Sequence, residues 1–527
     1  MKLVQLCRRL ALASMIGVSS LGMLASQSLA EENLRVVMHT SLRAIDPHMS
    51  NAWILRDHGY MVFDTLFALD ESMVPQPQMV DTYSVSDDKM TWTFKLREGL
   101  TFHDGSPVTA DDAIASIRRW AGVDSLGAML VEATGSMVAV DELTFELKLE
   151  KPFGLVVNAL AKPSGLVPFV MPKRLADIAP SPNLPEAIGS GPFRFVADEW
   201  QPGVRAVYEK FNDYKPREEE PNGLSGGKVA KVDRIEWISM GDAQTAMSAL
   251  LRGEIDIWEA PPHDLLPVLA ESEDVVIRNR NPQGNLTFMR MNWTQAPFDN
   301  VKIRQAVLHA IAQEDFLIAQ IGDPEYYRLC GAVFGCNTPH ESEEGAVQLD
   351  GPHIDKAKEL LAEGGYNGEK VVILSPTEPQ IVAPLAAISV QALRNIGMNV
   401  ELQSMDWNTF LLRRTNKGGV DEGGWSIFHT AMKVGDLSDP IINYYLRGDG
   451  QFFGWPEDPE IEKLAAEYAA APDAGARNDL ALKAHARAYE MLPFIPLGMF
   501  FDPPAYRSNI DGFVNGPATV FWNVEKK

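Results

Sequence analysis

Residues 370–376, KVVILSP, form a short apolar run, and residues 399–405, NVELQSM, form another, with helical spacing between them. A strand, a helix and a second strand in that order predict a parallel pair joined by a right-handed crossover. The pattern recurs. Residues 231–257 read strand, helix, strand, with Gly253 ending the helix and Ile255 and Ile257 flanking Asp256. LRVVMH at 34–39 is a further strand, and LTFMRMNW from 286 precedes the helix VKIRQAVLHAIA. Alternation of this kind predicts α/β lobes whose sheets are covered by helices. A chain of 527 residues is too long for one core, so two or more lobes are expected.

The first 30 residues differ from the rest. Lys2, Arg8 and Arg9 precede an uncharged, largely apolar stretch from Leu10 that ends in Ser28-Leu29-Ala30, just before Glu31-Glu32. This is the pattern of a cleaved secretory signal peptide; a membrane anchor is the rival, because about 20 apolar residues can span a bilayer. Export bears on the cysteines that follow. Cys330 and Cys336 stand six positions apart, and in an oxidising compartment they read as a disulfide. Metal binding is the alternative, although two thiols without nearby histidines make a poor tetrahedral site. A formal net charge of −24 argues against a nucleic-acid partner, which needs a basic face.

Residues 92–120, WTFKLREGLTFHDGSPVTADDAIASIRRW, hold His103-Asp104 and Asp111-Asp112, the most catalytic-looking polar cluster. Their spacing gives each a structural role. Trp92, Phe94 and Leu96 alternate with polar residues as in a strand with one buried face. Asp104-Gly105 is a turn dipeptide, and Pro107 ends the strand. Thr109 is placed as a helix N-cap with Asp112 in capping-box position, and Ile114, Ile117 and Trp120 mark a buried helix face. The stretch is therefore expected to be scaffold.

That scaffold, WTFKLREGLTFHDGSPVTADDAIAS, resembles the signature region of the family 5 extracytoplasmic solute-binding proteins, the dipeptide, oligopeptide and nickel receptors of ABC importers. Further blocks carry the same resemblance in the family's order: EAIGSGPFRFVADEWQPGVRAVYEKFNDYKPR (186–217), ALLRGEIDIWEAPP (249–262), MNWTQAPFDNVKIRQAVLHAIAQEDF (291–316), LLAEGGYN and SVQALRNIGMNVELQSMDW. The resemblance runs from about residue 34 onward. It implies a two-lobed α/β clamshell of the type II, cluster C periplasmic-binding-protein kind, with an extra subdomain in lobe one. The expected organisation is a signal peptide at 1–30, lobe one at 31–283 with the subdomain at about 50–170, lobe two at 284–492, and a return to lobe one at 493–527. It also implies a periplasmic location, a small-molecule or peptide ligand, an inner-membrane ABC permease as partner, a monomer and no cofactor.

A ligand would lie beyond the carboxyl ends of strands, in the cleft between the lobes. The candidates are Thr40, Ser41 and Arg43 after the first strand, Trp293, Ser375, Trp407, and, in GGWSIFHTAMKVGDLSDP (423–440), Trp425, Phe428, His429 and Asp436. Arg43 and Arg56, if they face the cleft, would suit a carboxylate. In the peptide receptors of the family an aspartate stands three residues after the tryptophan and pairs with the peptide's amino terminus. Here that place is Phe428, and Asp436 or Asp439 is the candidate substitute. His429 reads equally as a ligand contact and as a packing residue. The ligand classes implied are a short or modified peptide, an opine-like amino-acid conjugate, or a nickel or other metal chelate. A hydrolase is the rival class, but His-Glu-x-x-His, phosphate-loop and Gly-x-Gly-x-x-Gly motifs are absent from the sequence.

Overall fold

The structure is a computed structural model that describes residues 32–527, so the expected signal peptide lies outside the described residues. Two large sheets organise it. The first has seven strands in the order Phe193–Phe195, Arg205–Lys210, Arg234–Ile238, Asn33–Val37, Ile257–Trp258, Ala505–Arg507 and Val275–Ile277. Asn33–Val37 runs parallel to both of its neighbours. The connection between those neighbours is the helix Ala243–Leu251, capped by the Asp242 side chain on the Thr245 amide, as an N-cap aspartate requires.

The second sheet has six strands in the order Tyr327–Arg328, Phe494–Phe500, Asn285–Met291, Ile427–Lys433, Lys370–Pro376 and Asn399–Met405. Lys370–Pro376 and Asn399–Met405 pair in parallel, and the helix Leu385–Asn395 makes the crossover. The expected return to the first lobe at 493 falls later. Phe494–Phe500 is buried along its whole length and pairs with Asn285–Met291, so it belongs to the second sheet. The chain crosses after it, and Ala505–Arg507 enters the first sheet between Ile257–Trp258 and Val275–Ile277. Residues 518–524 then fill the first lobe's core with Phe521, Trp522 and Val524, and Lys526 pairs with Asp256 at 2.7 Å.

A separate four-stranded antiparallel sheet, in the order Val80–Val85, Thr91–Leu96, Thr144–Leu149 and Thr134–Ala139, carries the helix Ala110–Ala121. Thr109 and Asp112 form the capping box reciprocally: the Asp112 amide donates to Thr109 Oγ1, and the Thr109 amide donates to Asp112 Oδ2. His103 is held by the Gly191 carbonyl at 3.0 Å and by the edge of Phe211, and Asp104 accepts from Ser106. These polar residues are scaffold. The apolar core of this subdomain is continuous with that of the second lobe. At the join the Gly154 amide donates to the Ala469 carbonyl at 2.7 Å, and a Cβ on Gly154 would come within 2.1 Å of the Ala471 carbonyl oxygen.

Cys330 and Cys336 form a disulfide, with Cα atoms 6.0 Å apart and both residues fully buried. Among the described residues no helix is long and apolar enough to cross a membrane.

Candidate functional site between the lobes

Several sequence candidates turn out to brace one lobe. Trp293 donates to the Leu492 carbonyl, and its ring lies 3.6 Å below the Arg304 guanidinium. Ser375 is buried in its strand, opposite Ser404, and Trp407 stacks on Phe410 at 5.0 Å. Trp425 is fully buried, donates to the Arg414 carbonyl, and meets Phe428 edge-on at 4.9 Å. His429 lies between the second sheet and its covering helices, with Nε2 2.7 Å from Ser389 Oγ and Phe316 nearby. Burial holds its pKa down to about 3, so the ring is neutral. Of the two roles open to His429, these contacts correspond to packing. Thr40 and Ser41 line a shallow depression of the first lobe with Val204 and Trp237, and Arg43 is exposed beside Gly203.

Asp436 is placed differently. It follows the Ile427–Lys433 strand, is buried, and approaches the first lobe: a Cβ on Gly165 would lie 3.4 Å from its Oδ1. Its Oδ2 has no hydrogen-bond partner among the described residues. Across from it, Arg56 is buried and already committed, donating to Asp57 Oδ1 through Nε and Nη2 and to Ser164 Oγ through Nη1. It is therefore not the free carboxylate clamp its sequence position allowed. Asp57 Oδ2, like that of Asp436, is buried and unpartnered.

Three further residues complete this seam. His39 lies two residues beyond the Asn33–Val37 strand and Glu259 one residue beyond Ile257–Trp258, both at carboxyl ends of parallel strands. Their side chains meet at 2.7 Å, and Thr519 Oγ1 donates to the other Glu259 oxygen. From the second lobe Lys433 reaches over the ring of Trp53 at 4.8 Å and donates to the Pro517 carbonyl. Burial and the neighbouring Arg56 charge lower the Lys433 pKa, while Asp57, Glu259 and Asp502 oppose that shift. Burial raises the Asp57 pKa against the pull of Arg56. His39, Asp57 and Glu259 each offer a ligand atom within 4.8 Å of the others, a possible metal set. Lys433 and Arg56 already answer that negative charge, so the geometry favours an ion network over a cation site.

The seam thus gathers Asp57, Glu259, Asp436 and Asp502 against Arg56, Lys433 and His39, with Trp53 as an aromatic wall. Most of these were missed from sequence. His39 and Glu259 obey the rule that ligands gather at strand carboxyl ends, and His39 lies one residue before the segment that rule selected. Lys433 carries no local signal, because its partners come from the other lobe.

A family model for the bacterial extracellular solute-binding proteins, family 5, matches residues 74–451. The chain belongs to that family. Among curated relatives, this family 5 protein is 37% identical over 524 residues, 98% of each chain, to the probable peptide ABC transporter periplasmic-binding protein y4tO of Sinorhizobium fredii. Its fold is that of AgaA in complex with agropinic acid from A. tumefacien R10, with TM-score 0.75 and 23% identity over 94% of this chain and 99% of that one. It is equally that of a dipeptide-binding protein from Pseudoalteromonas sp. SM9913 in complex with Met-Leu, with TM-score 0.75 and 21% identity over 94% and 100%. The two-lobed type II architecture of family 5 therefore applies to the described chain.

Proposed function

We propose that this family 5 protein is the periplasmic receptor of an ABC importer, exported by a cleaved signal peptide and working as a monomer. It captures a short or modified peptide, or an opine-like amino-acid conjugate, between its lobes. The observation that carries this is Asp436, a buried carboxylate at the interlobe seam with one oxygen unpartnered. A ligand ammonium set against that oxygen would restore its hydrogen bonding, and charge-assisted bonds of this kind are the strong ones. Asp436 thereby takes the role that Phe428 cannot fill. The relative y4tO, described as a probable peptide receptor, and fold neighbours holding agropinic acid and Met-Leu support these ligand classes.

The mechanism is closure without chemistry. Contacts from one ligand to both lobes stabilise the closed form, and the inner-membrane permease recognises that form. The test is mass spectrometry of whatever small molecule co-purifies with the mature protein after export and denaturation. A stoichiometric peptide or conjugate, lost from Asp436→Asn, is the expected result. A nickel or iron chelate retained by Asp436→Asn would overturn the assignment.

A further inference from the structure

Two histidines outside the seam stand together on the second lobe, where the helices Val301–Ala310 and Ile354–Glu363 pack antiparallel. At one end of the pair Asn300 Nδ2 donates to the Gly364 carbonyl at 2.9 Å and Lys302 pairs with Glu363. At the other end the His353 amide donates to the His309 carbonyl at 2.7 Å. The two imidazoles meet there, with ring centroids 5.8 Å apart and planes at 67°. Ile303 and Val307 on one helix and Ala357 and Leu361 on the other lie in the core of the lobe, so both backbones are fixed.

Each ring keeps a nitrogen free. His353 Nε2 lies 3.2 Å from the Val347 carbonyl, which can only accept, so Nε2 carries the proton and Nδ1 the lone pair. A ring nitrogen that donates to a backbone carbonyl is the usual means of orienting a metal-binding histidine. His309 is half-buried, and its Nδ1 is buried with no hydrogen-bond partner among the described residues, so a bound ion would break no internal bond of that ring. Nitrogen donors stand about 2.0–2.1 Å from zinc, which sets two imidazole centroids on one ion about 4.5–6 Å apart. The observed separation lies in that range. Among the described residues no carboxylate or thiol joins the pair at ligand distance. Imidazole nitrogens alone suit copper or zinc, whereas calcium and magnesium take oxygen. The nearby Lys356 is engaged by Glu359 at 3.0 Å.

We propose that His309 and His353 bind one copper or zinc ion on the surface of the second lobe, with water completing its coordination. The site shares no residue with the seam and asks nothing of the transported ligand. By bridging two helices the ion binds the folded lobe in preference to the unfolded chain, and so stabilises it.

The test uses the full mature protein, stripped with a chelator and titrated with copper(II) alone, followed by calorimetry and electron paramagnetic resonance. Wild type should show an ion coupled to two imidazole nitrogens, and its melting temperature should rise with added zinc. His309→Gln and His353→Gln should each weaken copper binding more than about tenfold and abolish the two-nitrogen coupling. Their metal-free melting temperatures should stay close to wild type, which separates loss of the site from loss of the fold. Absence of the two-nitrogen signal from wild type, or its persistence in both variants, would overturn the inference and leave the receptor assignment standing.

Discussion

Lys433 of the second lobe lies 4.8 Å above the ring of Trp53 in the first and donates to the carbonyl of Pro517. The two lobes are thus joined across the seam by a cation on an aromatic face. A partly desolvated contact of this kind contributes about 1–2 kcal/mol. Lys433→Met should shift the ligand-free protein toward the open form by about 5- to 30-fold. Small-angle scattering reads this as a larger radius of gyration, and Trp53→Ala should give the same expansion. An unchanged radius in both variants would remove Lys433 from any role in closure.

His39 and Glu259 make the seam sensitive to pH. Burial works against charge on His39, but the field and hydrogen bond of Glu259 prevail, and its pKa is raised above 6.5. Asp57 adds to that rise and Lys433 opposes it. Burial likewise works against charge on Glu259, yet His39 and Lys433 hold its pKa below 4.5. A raised base contributes fully below its unfolded value and is lost as pH rises through its folded one; a lowered acid contributes above its unfolded value. The pair therefore stabilises most between about 4.5 and 6.5. His39→Gln should cost about 1–2 kcal/mol in that window and progressively less as pH rises above it. Melting curves of both proteins across pH check the convergence.

Removing the disulfide should separate stability from binding. Cys330 and Cys336 close a short, fully buried loop far along the chain from the seam residues. Loop-closure entropy for so short a loop is about 2–3 kcal/mol. Replacing both cysteines by serine should lower the calorimetric transition accordingly and leave peptide affinity within about twofold. A large loss of affinity would mean that this loop reaches the ligand.

Gly154 marks the contact between the subdomain and the second lobe. A Cβ there would meet the Ala471 carbonyl oxygen at 2.1 Å, and the backbone on both sides is held by hydrogen bonds, since the Gly154 carbonyl also accepts from Arg477. Gly154→Val should force these surfaces apart and weaken ligand binding about tenfold or more through loss of the closed form. Calorimetric titration with the co-purified ligand measures it. Binding equal to wild type would show that the subdomain takes no part in closure.

Local chemistry was legible in the sequence where a few neighbouring residues decide it. The Thr109–Asp112 box and the parallel pair at 370–405 are of this kind, because caps and crossovers depend on residues close together in the chain. The Phe494–Phe500 strand misled for the same reason: its prolines look like a crossing between lobes, yet pairing with Asn285–Met291 absorbs Pro496 opposite Phe288, beside a register shift. Trp425 and Phe428 have the composition of a ligand wall and the burial of a core, and composition cannot separate the two. Lys433 gave no signal at all. It is distinguished by partners in the opposite lobe, and that property is not local.

The passage of residues 505–524 back into the first lobe also orders events in time. Until Ala505–Arg507 arrives, Ile257–Trp258 and Val275–Ile277 have no strand between them, and the pocket that Phe521 and Trp522 fill stays open. Translation delivers those residues only after the whole second lobe. The first lobe, begun earliest, is therefore finished last. A frameshift or clipping event near residue 500 would consequently undo the earliest-made sheet before it touched the latest.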